Sequence, residues 1–132
     1  MSEKDRKIRV AISIGDYNGI GIEVILKTLQ EKEITEFFTP VIFGSTKLLS
    51  YQKDRLKFDR INFQGIQDAN QIVDGKINVV NLWKDQIDVH YGKVTKEAGE
   101  HAYQSLKAAA KSVSDLSLIH IPSPRDRQKS RM

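Results

Sequence analysis

The sequence has no cysteine among its 132 residues. That excludes a disulfide framework, a thiolate metal site and a cysteine nucleophile. Long hydrophobic runs are missing too: no apolar stretch approaches the ~20 residues that span a bilayer. The opening residues Met1 to Lys7 mix acidic and basic side chains and lead straight into an apolar run. They lack the form of a signal peptide, and the expected location is cytoplasmic. A strong charge of one sign is absent from the body of the chain. Of the net +4, Arg125, Arg127, Lys129 and Arg131 against Asp126 account for +3, leaving +1 for the first 121 residues. A basic tail on a near-neutral body differs from a basic binding face, so nucleic acid is not the expected partner.

What is present fits one soluble α/β domain. Apolar content of 39% and charged content of 29% are ordinary for a globular protein, and the length suits a single core. Residues 8–14 are apolar or small at nearly every position, as in a strand covered on both faces. Ile22, Ile25, Leu26 and Leu29 follow at i, i+3, i+4 and i+7, the stripe of a helix packing back on a sheet. Residues 34–38 read as one further short turn. A second apolar run covers residues 39–44, with Pro40 placed at its start. Ser45 reads as the N-cap of a helix filled by Leu48, Leu49 and Tyr51.

This strand–helix–strand spacing predicts parallel pairing. Residues 61–63 read as a third strand, 67–75 as a loop turning at Asp74-Gly75, and 77–83 as a strand. Residues 87–91 alternate like a short edge strand. Thr95 caps a predicted helix over 96–114, with Ala98, Ala102, Leu106, Ala109 or Ala110, and Val113 as its buried stripe. From Ser117 the sequence changes to a short apolar run and then a basic, proline-containing stub. Residues 117–132 are expected to be a non-native tail outside the fold.

The candidate site lies between the first strand and first helix, at the carboxyl end of a strand where α/β proteins place their chemistry. Gly15-Asp16-Tyr17-Asn18-Gly19-Ile20-Gly21 is not a Walker loop, since no Lys-Ser/Thr follows, and it reverses the G-x-G-x-x-G spacing. Gly15, Gly19 and Gly21 allow close approach of a ligand, and free amides at the helix start suit an anion. Asp16 and Asn18 are the candidates for a contact at the rim. A purely structural tight turn is the competing reading. His90, His101 and His120 lack metal-ligand spacing and read as surface or packing residues. His101 is expected to pair with Glu97 along the helix. Asp85 and Asp88 read as loop solvation, and Trp83 and Phe63 as core.

The glycine turn with Glu23, Val24, Ile25, Leu26, Lys27, Thr28 and Leu29 resembles the N-terminus of the 4-hydroxythreonine-4-phosphate dehydrogenase family. Residues 39–45, 76–83 and 92–99 resemble further family blocks in the same order. The resemblance implies an isocitrate/isopropylmalate dehydrogenase-like three-layer α/β fold with a mostly parallel sheet. It implies oxidation of 4-phosphooxy-threonine by NAD or NADP, with decarboxylation, in pyridoxal phosphate biosynthesis. It also implies a divalent metal (zinc, magnesium or cobalt) as Lewis acid on the substrate oxygen, and a homodimer. Two departures stand in the turn: Tyr17 and Ile22 occupy positions where the family usually has proline, and Tyr17 is expected to leave the turn freer. The family's metal-binding histidines, its His-Thr pair and its phosphate-binding lysine and arginine fall beyond residue 132. The catalytic centre is therefore expected to lie outside this chain, and the chain to be inactive. The alternative is a non-catalytic α/β module binding a phosphorylated ligand at residues 15–21.

Overall fold

The computed structural model describes residues 8–31, 33–58, 60–83, 87, 89–90, 92–116 and 119–121. Asp85, Asp88, residues 1–7 and residues 122–132 lie outside them. Among the described residues, five parallel strands form one sheet in the order β3-β4-β2-β1-β5. They are β1 (Ile8–Ser13), β2 (Phe38–Gly44), β3 (Phe63–Ile66), β4 (Ile77–Asn81) and β5 (Ile119–Ile121). The helices are α1 (Gly21–Leu29), α2 (Ile34–Phe37), α3 (Thr46–Leu56) and α4 (Lys96–Leu116).

Two cores lie on opposite faces of the sheet, which makes three layers. Ile42 and Val79 point to one face, where Ile22, Ile25, Leu26 and Leu29 of α1 and Leu48 and Leu49 of α3 bury them. Ala11, Val41, Phe43 and Val80 point to the other, against Ala109 of α4 and Ile72. The near-continuous apolar runs of β1, β2 and β4 follow from this double coverage. Among the described residues, no helix is long and apolar enough to cross a membrane.

The elements differ from their predicted bounds in informative places. Pro40 is the third residue of β2, a central strand, and stands opposite Val10 of β1. The ladder to β4 begins only at Val41, so Pro40 has a paired neighbour on one side alone. The third strand starts at Phe63 and not Ile61, whose buried side chain instead joins the core. The expected edge strand over 87–91 is absent at its described positions: Ile87 and Val89 are irregular and pack against the core that holds Ile42 and Val79. Tyr51 is exposed and fills nothing. On α4, Ala109 is buried and Ala110 exposed, while Ser105 and Ser112 are buried and the expected Ala102 and Leu106 only half-buried. Residues Ile119–Ile121, set outside the fold by sequence, pair with Val10–Ile12 of β1.

The connection between β3 and β4 is held by a buried polar residue. Asn78 accepts from the Val73 amide at 2.9 Å and donates to the carbonyls of Val73 and Lys76. Gly75 takes the positive φ of the predicted turn, 82°, and its amide donates to Thr39 Oγ1. These bonds satisfy a fully buried side chain, and they fix the short link that lets β4 insert between β2 and β3.

Candidate functional site

The turn after β1 is built as the sequence suggests. Gly15 lies at φ 68°, a conformation that side chains disfavour. The Asp16 carboxylate accepts the Asn18 amide at 2.9 Å, and the Asp16 carbonyl accepts the Gly19 amide at 3.0 Å, closing the loop on itself. A Cβ on Gly21 would stand 3.2 Å from the Ile14 carbonyl, so glycine there permits close passage of the chain into α1. Gly15 is buried, and Asp16, Gly19 and Gly21 are half-buried. The start of α1 has no side-chain cap.

Asn18 does more than shape the turn. It is 3% exposed, and both ends of its amide are engaged. Its Oδ1 accepts from the His90 amide at 2.7 Å, and its Nδ2 donates to Thr95 Oγ1 at 3.2 Å. Its backbone carbonyl accepts from the Gly92 amide at 2.9 Å. Thr95 Oγ1 in turn accepts from the Ala98 amide at 3.1 Å, the capping bond predicted for α4. Asn18 is thus placed inside the protein, joining the turn to the start of α4, with both ends of its amide bonded within the chain.

Tyr17 is buried at 1% exposure, and its hydroxyl lies 3.0 Å from Nδ1 of His101. The His101 ring stacks obliquely against Trp83, with centroids 4.5 Å apart, and Trp83 Nε1 donates to Gln104 Oε1. The expectation that tyrosine leaves the turn freer is therefore corrected. A proline holds a turn by fixing φ, whereas Tyr17 holds it through burial and a hydrogen bond. His101 reaches to Tyr17 and Trp83 in place of the expected pairing with Glu97.

Beneath the turn, Ser105 Oγ donates to the Phe43 carbonyl at 2.6 Å and accepts from the Ile14 amide at 3.0 Å. One fully buried hydroxyl therefore ties the carboxyl ends of β1 and β2 to α4. At the next strand ends, Asn81 Oδ1 accepts from the Thr46 amide and hydroxyl at 2.7 and 2.8 Å. Sequence reading missed Ser105 and Asn81. A serine inside a helical apolar stripe was the available signal for the first.

Among the described residues, no group of three or more His, Asp or Glu side chains comes together to hold a metal. His90 is exposed, and His101 is occupied by its aromatic neighbours.

The family model described as pyridoxal phosphate biosynthetic protein PdxA matches residues 36–121. The chain belongs to this family. A 4-hydroxythreonine-4-phosphate dehydrogenase of Bacteroides thetaiotaomicron is 37% identical over 106 residues, which is 80% of this chain and 29% of the relative. A protein of Oceanobacillus iheyensis, provisionally named as a D-threonate 4-phosphate dehydrogenase, is 31% identical over 107 residues, or 79% of this chain and 32% of its own length. The crystal structure of a 4-hydroxythreonine-4-phosphate dehydrogenase from Burkholderia phymatum superposes with a TM-score of 0.73 at 25% identity. The match covers 83% of this chain and 33% of that one. The chain therefore spans about a third of the length of the relatives it matches. The matched segment ends at Ile121, the last residue of β5.

Proposed function

We propose that this chain supplies the N-terminal part of a cytoplasmic, homodimeric dehydrogenase acting on a 4-phosphorylated hydroxy acid in pyridoxal phosphate biosynthesis. The observation that carries the reading is the family membership, joined to a turn built at the carboxyl end of β1. In the whole enzyme, NAD or NADP would supply the hydride acceptor and a divalent metal the Lewis acid for oxidation of 4-phosphooxy-threonine with decarboxylation.

The residues of this chain have a narrower part. Gly15, Asp16, Asn18, Gly19 and Gly21 border the cleft and set its wall, with Ser105 and Tyr17 behind them. Gly19 and Gly21 are half-buried and Ile20 between them is exposed, so this part of the turn is the one a phosphorylated ligand would meet. The described residues do not fit a divalent metal, having no ligand set for it. On this reading the 132-residue chain alone is expected to be inactive.

The test compares two proteins in the presence of NAD or NADP, zinc, magnesium or cobalt, and either 4-phosphooxy-threonine or D-threonate 4-phosphate. One is the 132-residue chain; the other grafts its residues 8–116 onto the remaining length of the Bacteroides relative. Nicotinamide reduction by the graft alone supports the proposal, and the preferred substrate chooses between the two names carried by the relatives. Metal-dependent reduction by the 132-residue chain would overturn it.

A further inference from the structure

We propose that Asn18 is a positioning residue that couples the 15–21 turn to the start of α4, so that turn and helix open and close as one unit. This goes beyond the proposed function and holds for the chain without any ligand.

Three hydrogen bonds from Asn18 reach partners between 72 and 77 positions away: His90, Gly92 and Thr95. Thr95 Oγ1 then accepts from the first-turn amide of Ala98. On the other side, the Asn18 and Gly19 amides bond to Asp16. The result is an unbroken series of bonds from Asp16, beside β1, to Ala98, in α4. At 3% exposure, Asn18 cannot exchange these partners for water without moving. Gly92, Lys93 and Val94 are exposed, Val94 at 89%, so this stretch gains little from burial and is held by its hydrogen bonds. Such a stretch opens locally unless something fixes it, and Asn18 is what fixes it. Coupling of this kind is reciprocal: loosening α4 must loosen the turn by the same factor.

Amide hydrogen exchange on the 132-residue chain reads the coupling residue by residue. In Asn18→Ala the His90 amide loses its acceptor directly and is no test. The test is at Gly92 and Ala98, whose own acceptors survive the substitution. Both should exchange about tenfold faster or more, the change in an opening equilibrium expected for a lost buried hydrogen bond. The amides of Val41 and Val79 in the central strands should be unchanged. In Thr95→Val the effect should run the other way, speeding the Asn18 and Gly19 amides, which bond only within the turn. Thr95→Ser keeps the hydroxyl and should restore wild-type rates at both. Unchanged exchange at Gly92 and Ala98 in Asn18→Ala, or an unchanged turn in Thr95→Val, overturns the proposal. Uniform acceleration that includes Val41 and Val79 overturns it as well, because Asn18 would then support the whole fold and not one coupled unit.

Discussion

At Gly15 the backbone sits in the left-handed region, where an L side chain costs about 1–2 kcal/mol. Gly15→Ala should lower the stability of the chain by that amount, read as a shift in the urea midpoint without a change in slope. Tyr17 gives a second, graded prediction. Tyr17→Phe keeps the buried ring and removes the hydroxyl that meets His101, and should cost about 0.5–1.5 kcal/mol. Tyr17→Ala also empties a fully buried site and should cost about 3–5 kcal/mol in the same measurement. A small difference between the two would mean that the turn is held by the hydrogen bond and not by packing. The need for Gly15 was legible in the sequence, because a glycine after a strand and before a helix has few other uses. The roles of Tyr17 and Asn18 were not. Their partners His101, His90 and Thr95 are 72 to 84 positions away, and no local spacing records such contacts.

Among the elements, α1 was legible from its apolar periodicity, and α3 and α4 from periodicity together with a capping residue. Ser45 accepts from the Leu48 amide as its position before the helix predicted. Ser45→Ala should destabilise by about 1 kcal/mol, with the loss of helix signal on heating occurring in one step with the rest of the fold. The short strand β3 and the irregular residues after β4 were misplaced for a common reason. An apolar alternation of three to five residues is satisfied equally by an edge strand or by a loop pressed on the core, and only the sheet decides between them. Ser105 is the clearest case of tertiary demand overriding pattern. It occupies a core-facing place on α4 because the Phe43 carbonyl and Ile14 amide need a partner there. Ser105→Ala leaves both groups buried and incompletely bonded, and should cost about 1–3 kcal/mol. Ser105→Gly would add a helix-propensity cost and so would be a poorer test.

For the whole molecule, the question is where the folded unit ends. The change of composition at Ser117 suggested a boundary at 116, yet Ile119–Ile121 pair with Val10, Ala11 and Ile12. Composition sees the polar stub but cannot see that three residues before it meet an open strand. With β5 in place, β1 is an interior strand; without it, β1 becomes an exposed edge carrying Val10 and Ile12. A chain ending at residue 121 should therefore match the 132-residue chain in unfolding midpoint and remain dispersed in solution. A chain ending at residue 116 should unfold at lower denaturant and associate as its concentration rises, seen by light scattering. Removing residues 122–132 alone takes away a net +3 and leaves the sheet intact, so any difference between the two shorter chains belongs to the strand and not to the charge. Equal stability of the 116- and 121-residue chains would show that β5 contributes nothing to the fold and return the boundary to Leu116.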